Sequence, residues 1–292
     1  MLWNICSPHC SYCSYSSTES AFRRSFRLAV ATHPLAANMQ WKLSPNTALS
    51  KALGLPLSAL LAAIPGVEAD TIRCLDIIVI SFIINMNIID CHTHDASASN
   101  AIININSLSD AVNSSLHYSA GIHPWNAENA TESLFLRLEQ LLQLGNVLAV
   151  GECGIDKAIA TPIDVQQSVM MRQVMLSEKY QKPLIVHCVR AWQEIIALHR
   201  IIKPSQKWII HGFRAKPTVL DTLLKEDFLI SYGPLFNAQS LINTPIDRLL
   251  IETDESHQSI DFVSNTISST LGIPSSHLIK AVSLNISRCF SI

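Results

Sequence analysis

Eight short β-rich runs that alternate with helical patterns constrain the fold of this chain more than any other feature. Most of the runs are continuously apolar, as in Val-Leu-Ala-Val at 147–150 and Trp-Ile-Ile at 208–210. Such runs are typical of strands that are buried on both faces of a parallel sheet. The predicted strands are 87–91, 101–106, 116–121, 147–151, 183–187, 207–211, 227–232 and 248–252.

Helical patterns fill several of the gaps between these strands. Leucines recur at helical spacing over 131–144, with Gly145 as the stop, and 164–180, 189–202 and 216–225 also predict helices. Eight strands that alternate with helices predict an α/β fold, the (β/α)8 TIM barrel. Because such barrels usually take about 250 residues, the second βα unit must be very short.

The chain changes character near residue 86. Residues 1–85 have weak periodicity and a start rich in Ser, Tyr and Cys, with one Leu- and Ala-rich stretch at 48–63 that predicts a helix. We therefore expect an N-terminal extension, 1–85, without an assigned fold, which is either disordered or mis-assigned. The barrel domain is expected to span 86–292, because Met86 directly precedes the first predicted strand.

The cysteines fall into two groups. Cys6, Cys10 and Cys13 form C-x3-C-x2-C, a spacing that resembles the iron–sulfur loop of radical-SAM enzymes. Residues 14–85 are too few and too irregular for the barrel that those enzymes need, so a cluster is the minor interpretation. The later cysteines lie mostly in apolar runs and are expected to be buried free thiols. They are Cys91, Cys153, Cys188 and Cys289.

Charge and hydropathy argue against two classes of partner. Residues 86–292 contain 15 Lys and Arg against 19 Asp and Glu, which leaves no excess of basic residues for coating a nucleic-acid duplex. The longest apolar run, 77–84, contains Ser81 and is too short for a membrane span of about 20 residues. The N-terminus lacks the order of a secretory signal. We expect a soluble, cytoplasmic protein with no membrane association and no obligate protein partner.

Histidines and carboxylates end or directly follow six of the predicted strands. The carboxyl ends of barrel strands share one rim, where barrel active sites are built. Imidazole and carboxylate groups suit zinc, manganese and similar divalent ions. Glu152, near the middle of the set, is the best candidate for a carboxylate that bridges two ions. A pair of ions could activate a water and clamp a phosphoryl oxygen. The six predicted ligands are His92, His94, Glu152, His187, His211 and Asp254, and His123 joins them on the same rim.

Six short motifs follow one another along the chain in a characteristic order. Asp-x-His-x-His, Gly-Ile-His-Pro, Gly-Glu-x-Gly-Ile-Asp, Ile-Val-His-Cys, Ile-Ile-His-Gly-Phe and Glu-Thr-Asp follow one another from 90 to 254. The order resembles the TatD family of metal-dependent hydrolases, most closely the short branch found in Bacteroides-type bacteria. The resemblance covers about 86–292. It implies an amidohydrolase-like barrel with two divalent ions (Mg, Mn or Zn) and hydrolysis of phosphodiester bonds in DNA.

The resemblance also implies roles for individual residues. One ion would be held by His92, His94, Glu152 and Asp254, and the other by Glu152, His187 and His211. Asp254 would orient or deprotonate the attacking water, with Glu152 and His123 as the other catalytic residues and His123 beside the scissile phosphate. Asp90 would steady the neighbouring histidines, and Asp156 would support the turn after strand four.

Three positions depart from the family pattern. Arg190 stands one place later than the arginine that usually follows strand five, so it is either a substrate contact or the start of the next helix. Arg214, after the strand-six histidine, either contacts phosphate or caps a surface loop. Glu255-Ser256 replaces the usual Ser/Ala-Pro, so the loop that shapes the substrate pocket differs. All predicted metal positions are present, which favours an active hydrolase.

Three functions follow in order of preference. The first is a metal-dependent deoxyribonuclease or phosphodiesterase that acts on DNA ends or on a small phosphoester. The second keeps the fold but cleaves a carboxyl ester, as in D-aminoacyl-tRNA deacylation. Cyclic amides are less favoured, because Glu152 occupies the place where such barrels often carry a lysine. The third is a binding scaffold with an N-terminal cluster or docking appendage.

Overall fold

The computed structural model describes residues 88–292, and the eight strands of this part form one parallel sheet. Each strand pairs with the next along the chain, from β1 to β8. All eight predicted strands are present. They are β1 Asp90–Thr93, β2 Ala101–Asn104, β3 His117–Ala120, β4 Val147–Asp156, β5 Leu184–Val189, β6 Trp208–Ile210, β7 Leu229–Tyr232 and β8 Leu249–Ile251.

The first and last strands meet and close the sheet into a barrel. Thr93 forms a parallel bridge with Asp254, just beyond β8. The backbone N–H of His94 donates to the carbonyl oxygen of Asp254 at 3.0 Å, and the N–H of Asp254 donates to the carbonyl oxygen of His92 at 3.0 Å. The predicted (β/α)8 barrel is confirmed. Its closure also places Asp254 directly beside the His-x-His segment.

Helices follow most of the strands and cover the outside of the barrel. The connections from β1 to β2 and from β2 to β3 contain no described helix, which is how this short chain completes eight strands. The α-helices are α1 Glu132–Leu142, α2 Ile163–Tyr180, α3 Trp192–Ile202, α4 Pro217–Lys225, α5 Ala238–Asn243, α6 Ile260–Leu271 and α7 Ser275–Phe290, with 3-10 helices at Pro124–Asn129 and Ile246–Arg248.

The core lies between these helices and the sheet. Leu138 and Leu141 of α1 and Ile195 of α3 are buried, and so is every residue of β4. The α1 helix begins where the sequence predicts, because the Thr131 side chain accepts a hydrogen bond from the N–H of Leu134. Apolar burial of this kind supplies most of the driving force for folding.

Two strands are longer than predicted. β4 runs to Asp156 and β5 to Val189, so Glu152 and His187 lie inside strands and α3 begins only at Trp192. Gly154 explains the extension of β4: its φ is +153°, and a Cβ atom there would lie 1.9 Å from the carbonyl oxygen of His187. Glycine therefore allows a close approach of the two strands, where the sequence suggested that both had ended.

Two predictions concern segments that the structure does not describe. The C-x3-C-x2-C spacing and the helix at 48–63 lie outside the described residues. The described residues all belong to one compact unit. The four later cysteines are free as predicted, although Cys188 and Cys289 are only partly buried.

Within 88–292 no helix combines the length and the apolar character needed to cross a membrane.

Candidate metal centre

Five predicted histidines, which lie at or just beyond the ends of β1, β3, β5 and β6, surround the carboxylate of Glu152. Asp254, just beyond β8, lies beside two of them. Glu152 projects from β4 at the carboxyl end of the barrel and is only 5% exposed. Its two oxygens face different groups of side chains. One carboxylate therefore contacts two clusters of possible metal ligands.

The first cluster faces Oε2 of Glu152. Nε2 of His92 and Nε2 of His94 each lie 3.4 Å from this oxygen. Oδ1 of Asp254 lies 3.6 Å from His92 Nε2 and 3.7 Å from His94 Nε2. Ligand atoms that share one tetrahedral ion at about 2.0–2.2 Å are roughly 3.3–3.6 Å apart. Three of the four distances in this cluster match those edges, and the fourth, between His94 Nε2 and Asp254 Oδ1, is slightly longer.

The second cluster faces Oε1 of Glu152. His187 Nδ1 and His211 Nε2 each lie 2.7 Å from this oxygen, and the two nitrogens are 3.2 Å apart. His123 Nε2 lies 3.3 Å from the same oxygen. These distances are those of direct hydrogen bonds, so this cluster is more tightly closed than the first.

Unpaired buried nitrogen atoms give an independent test of whether a metal fits. Both ring nitrogens of His92, Nε2 of His187 and Nδ1 of His211 are buried without a hydrogen-bond partner among the described residues. Buried polar atoms nearly always have a partner. An ion at the first cluster would give His92 Nε2 one. Three overlapping sets of ligand atoms lie within 4.8 Å of one another: His92, His94 and Glu152; His123, Glu152 and His187; and His92, His211 and Asp254. The donor set therefore fits divalent ions, and His211 lies close to ligands of both clusters.

The pKa values of the two carboxylates at the site also favour bound cations. Burial on its own raises the pKa of Glu152, but the charge of His211 and hydrogen bonds from the surrounding histidines hold that pKa well below its usual range. Burial likewise opposes ionisation of Asp254, yet its contact with His92 and the nearby histidine charges lower its pKa to about 2. Both carboxylates are therefore ionised and need positive charge beside them.

The same carboxylates raise the pKa values of the neighbouring histidines. Burial lowers the pKa of His92, but its contacts with Asp254 and Glu152 raise it to about 9. Burial also disfavours the charged form of His211, and the charge of Glu152 outweighs it and raises the pKa well above its usual value. The site thus attracts cations, whether protons or metal ions.

The comparison with protein families covers all but the last of the described residues. A family model described as TatD related DNase matches residues 82–291. The chain belongs to the TatD-related DNase family. The match begins near the expected domain start and contains every predicted site residue.

Curated relatives of this TatD-family chain are nucleases or metal-dependent hydrolases. The human 3′-5′ RNA nuclease TATDN2 is 30% identical over 146 residues, which cover 46% of this chain and 19% of that protein. The 3′-5′ ssDNA/RNA exonuclease TatD of Edwardsiella piscicida is 33% identical over 146 residues, 46% of this chain and 56% of that protein. The chain spans about half the length of the bacterial relative that it matches, and far less of the human one.

Solved structures of TatD homologues share the fold. The Escherichia coli homologue YJJV superposes with a TM-score of 0.63 at 18% identity, over 71% of this chain and 99% of that one. A TatD-family hydrolase from Entamoeba histolytica gives 0.58 at 19% identity, over 65% and 84%. These likenesses support the barrel itself.

Two buried polar residues that were given no role in the sequence analysis support the TatD-family centre. Asn104 Oδ1 accepts a hydrogen bond from the backbone N–H of Glu152 at 3.0 Å. Glu252 is fully buried, and its Oε1 accepts from the N–H of Gly212 at 2.5 Å and lies 3.4 Å from His211 Nδ1. In the sequence, each of these polar residues interrupts or ends an apolar strand. A polar residue in such a run is the signal that could have indicated a role at the site.

The two predicted supporting aspartates contact different parts of the site. Asp90 Oδ1 accepts from the backbone N–H groups of His92 at 3.3 Å and Thr253 at 3.1 Å, and Oδ2 accepts from Thr253 Oγ1 at 2.6 Å. Asp90 thus fixes backbone rather than an imidazole ring, and burial raises its pKa to about 7. Asp156 Oδ2 lies 3.5 Å from His187 Nε2, and Oδ1 accepts from the N–H of Ala158.

The structure does not bring the two predicted arginines into the ligand clusters. Arg190 follows β5 with a φ of +55°, and Arg214 follows β6; both are exposed. Neither forms an ion pair with a described residue. Both loops leave strands at the carboxyl edge that carries Glu152, so the arginines lie on the side of the barrel from which a substrate would approach.

Proposed function

We propose that this chain is a divalent-metal-dependent nuclease that hydrolyses phosphodiester bonds at an end of single-stranded DNA or RNA. The single observation that carries the proposal is the position of Glu152, whose two oxygens face separate ligand clusters. The nuclease names of the human and Edwardsiella relatives support a nucleic-acid substrate. A small phosphoester is the remaining alternative of the same chemistry.

The proposed ligands divide between the two clusters. Both ions are expected to be Mg²⁺, Mn²⁺ or Zn²⁺, since the donors are imidazole and carboxylate. When bound, the ions supply activation of a water molecule and neutralise charge on the phosphate oxygens. The proposed ligands are His92, His94, Glu152 and Asp254 for one ion, and Glu152, His187 and His211 for the other.

Other groups of this chain would accept the proton, contact the phosphates and hold the neighbouring residues in place. Asp254 is 26% exposed and ionised, so it can accept a proton from an attacking water. His123 lies at the edge of the second cluster, and we assign it to the scissile phosphate. Arg190 and Arg214 would contact phosphates further along the strand. Asp90 and Asp156 would hold their neighbours in place.

The excess of acidic residues in the barrel domain limits how a nucleic acid can bind. Residues 86–292 carry more acidic than basic residues, so a long duplex would find no basic stripe. A strand end that enters the site needs only local contacts. We propose that the barrel domain, 86–292, carries the complete site, because every proposed site residue lies within it.

Replacing the proposed base tests the function. In the full-length Asp254→Asn enzyme, kcat on end-labelled single-stranded DNA is expected to fall about 10²–10³-fold, because an amide cannot take the proton. Wild-type activity should require Mg²⁺, Mn²⁺ or Zn²⁺ and disappear with chelator. The matched variant Asp221→Asn, on the exposed side of α4, should retain full activity.

Two outcomes would contradict the proposal. The first is unchanged activity of the Asp254→Asn enzyme. The second is a wild-type enzyme that binds metal but cleaves neither DNA nor RNA, which would redirect the search to small phosphoesters and to carboxyl esters.

Metal binding should also stabilise the fold. An ion that binds only the folded state adds about 2.7 kcal/mol at a concentration 100 times its Kd. We therefore expect Mn²⁺ or Zn²⁺ to raise the Tm of the wild-type protein by several degrees and chelator to reverse the shift, as measured by scanning calorimetry. An unchanged Tm in both metals would argue against the proposed ligand set.

A further inference from the structure

An exposed indole stands beside the candidate site. Trp125 lies in the 3-10 helix Pro124–Asn129, two residues after His123, and 58% of it is exposed. Its ring centroid is 4.7 Å from that of His123, at an interplanar angle of 86°, and 6.5 Å from that of His187. A large aromatic surface is thus open to solvent at the edge of the second cluster.

The indole is held in position although it is exposed. Trp125 Nε1 donates a hydrogen bond to Asp156 Oδ2 at 2.8 Å. Asp156 is itself fixed, because its backbone N–H donates to Gln166 Oε1 at 2.7 Å. The backbone N–H of Trp125 donates to His123 Nδ1 at 3.2 Å. Since the ring is oriented in advance, a ligand that binds it need not order it first.

An indole that is both exposed and held in one orientation is suited to binding a ligand. A single exposed apolar residue needs no explanation on its own. This indole, however, adjoins a proposed phosphodiester site in a barrel domain that has little positive charge for gripping a strand. Aromatic rings bind single-stranded nucleic acids by stacking on bases, and this needs no charge and tolerates any base.

We propose that Trp125 is a stacking subsite for the nucleobase next to the phosphate that is cleaved. This inference rests on the proposed nuclease function and names the part of the substrate that the site grips. In a duplex the base already stacks on its neighbours, so the subsite favours unpaired ends. Asp156 has a second role here: it orients the indole as well as approaching His187.

The competing explanation is that Trp125 merely positions Asp156, and through it His187. Two variants separate the roles. Trp125→Phe keeps an aromatic face but loses the Nε1 donor, whereas Trp125→Ala loses both. The substrates are a single-stranded oligonucleotide and the same oligonucleotide with abasic sugars at its last two 3′ positions. Ile201→Ala, an exposed apolar residue at the carboxyl end of α3, is the control.

Stacking predicts a specific pattern for the full-length enzyme. Trp125→Ala should raise KM for the intact oligonucleotide roughly 10-fold, within the range of one stacked base. Its KM for the abasic oligonucleotide should equal that of the wild type. Trp125→Phe should retain most of the discrimination, and Ile201→Ala all of it. Equal losses on both substrates, with Trp125→Phe as impaired as Trp125→Ala, would overturn the proposal in favour of a positioning role.

Binding without turnover distinguishes this proposal from the nuclease function. In chelator, fluorescence anisotropy of the two labelled oligonucleotides measures binding when no cleavage occurs. Wild type should bind the intact oligonucleotide more tightly than the abasic one, and Trp125→Ala should bind both equally. Equal binding by the wild type would overturn the stacking subsite, whatever the nuclease assays show. Absence of cleavage together with preserved discrimination would contradict only the nuclease function.

Discussion

The Glu152→Gln enzyme is expected to lose at least one of the two proposed ions and essentially all nuclease activity. Each oxygen of Glu152 faces one ligand cluster, and glutamine replaces one oxygen by an NH₂ group that cannot bind a cation. The remaining oxygen can serve only one cluster. The loss should therefore exceed the roughly 10²–10⁴-fold contribution of a single general base.

Metal content measured beside activity tests this expectation. After dialysis against Mn²⁺ or Zn²⁺, elemental analysis should find about two ions per wild-type chain and at most about one per Glu152→Gln chain. The control Glu139→Gln removes a carboxylate of α1 that pairs with Lys179, and should change neither quantity. A Glu152→Gln enzyme that retained two ions would show that the bridging position belongs to another residue.

The fold and the composition of this centre follow from local sequence signals. Apolar runs show where strands lie, and the order of histidines and carboxylates after them identifies the rim that these residues share. His92 and His94 illustrate the reason: alternate residues of an extended segment point to one side, whatever the rest of the fold does. Barrel closure then places Asp254 next to them.

Other features depend on neighbours that are distant in sequence. Asn104 supports the backbone of Glu152 from a strand 48 residues earlier, and Glu252 fixes Gly212 from 40 residues later. Nothing local to either residue specifies its partner. The same holds for Trp125, whose Nε1 donates to Asp156 at the end of β4, 31 residues later. These contacts were not predicted because they depend on strand register.

The Gly154→Ala protein is expected to be destabilised by about 3–5 kcal/mol, through strain at a positive φ and overpacking against β5. The added Cβ would lie 1.9 Å from the carbonyl oxygen of His187, which belongs to the backbone and cannot rotate away. The two strands must therefore separate. For a domain of this size the Tm should fall by roughly 10 °C.

The control for this variant is Gly145→Ala. A Cβ at Gly145 would have no atom within 4 Å, and Gly145 precedes β4 on the opposite side of the barrel from the site. Its Tm should change by little, within about 0.5 kcal/mol of unfolding free energy. Calorimetry of both alanine variants in chelator measures the difference without any contribution from bound metal.

The same substitution should weaken the metal centre beyond its effect on stability. Gly154 pairs with His187 in the β4–β5 register, and Glu152 lies two residues earlier on β4. Separation of the strands would lengthen the 2.7 Å contact between Glu152 Oε1 and His187 Nδ1. We therefore expect the folded Gly154→Ala protein, assayed well below its Tm, to bind metal at the second cluster less tightly than the Gly145→Ala protein. A Gly154→Ala protein with normal Tm and normal metal affinity would show that the close approach of β4 and β5 is not what sets the geometry of the site.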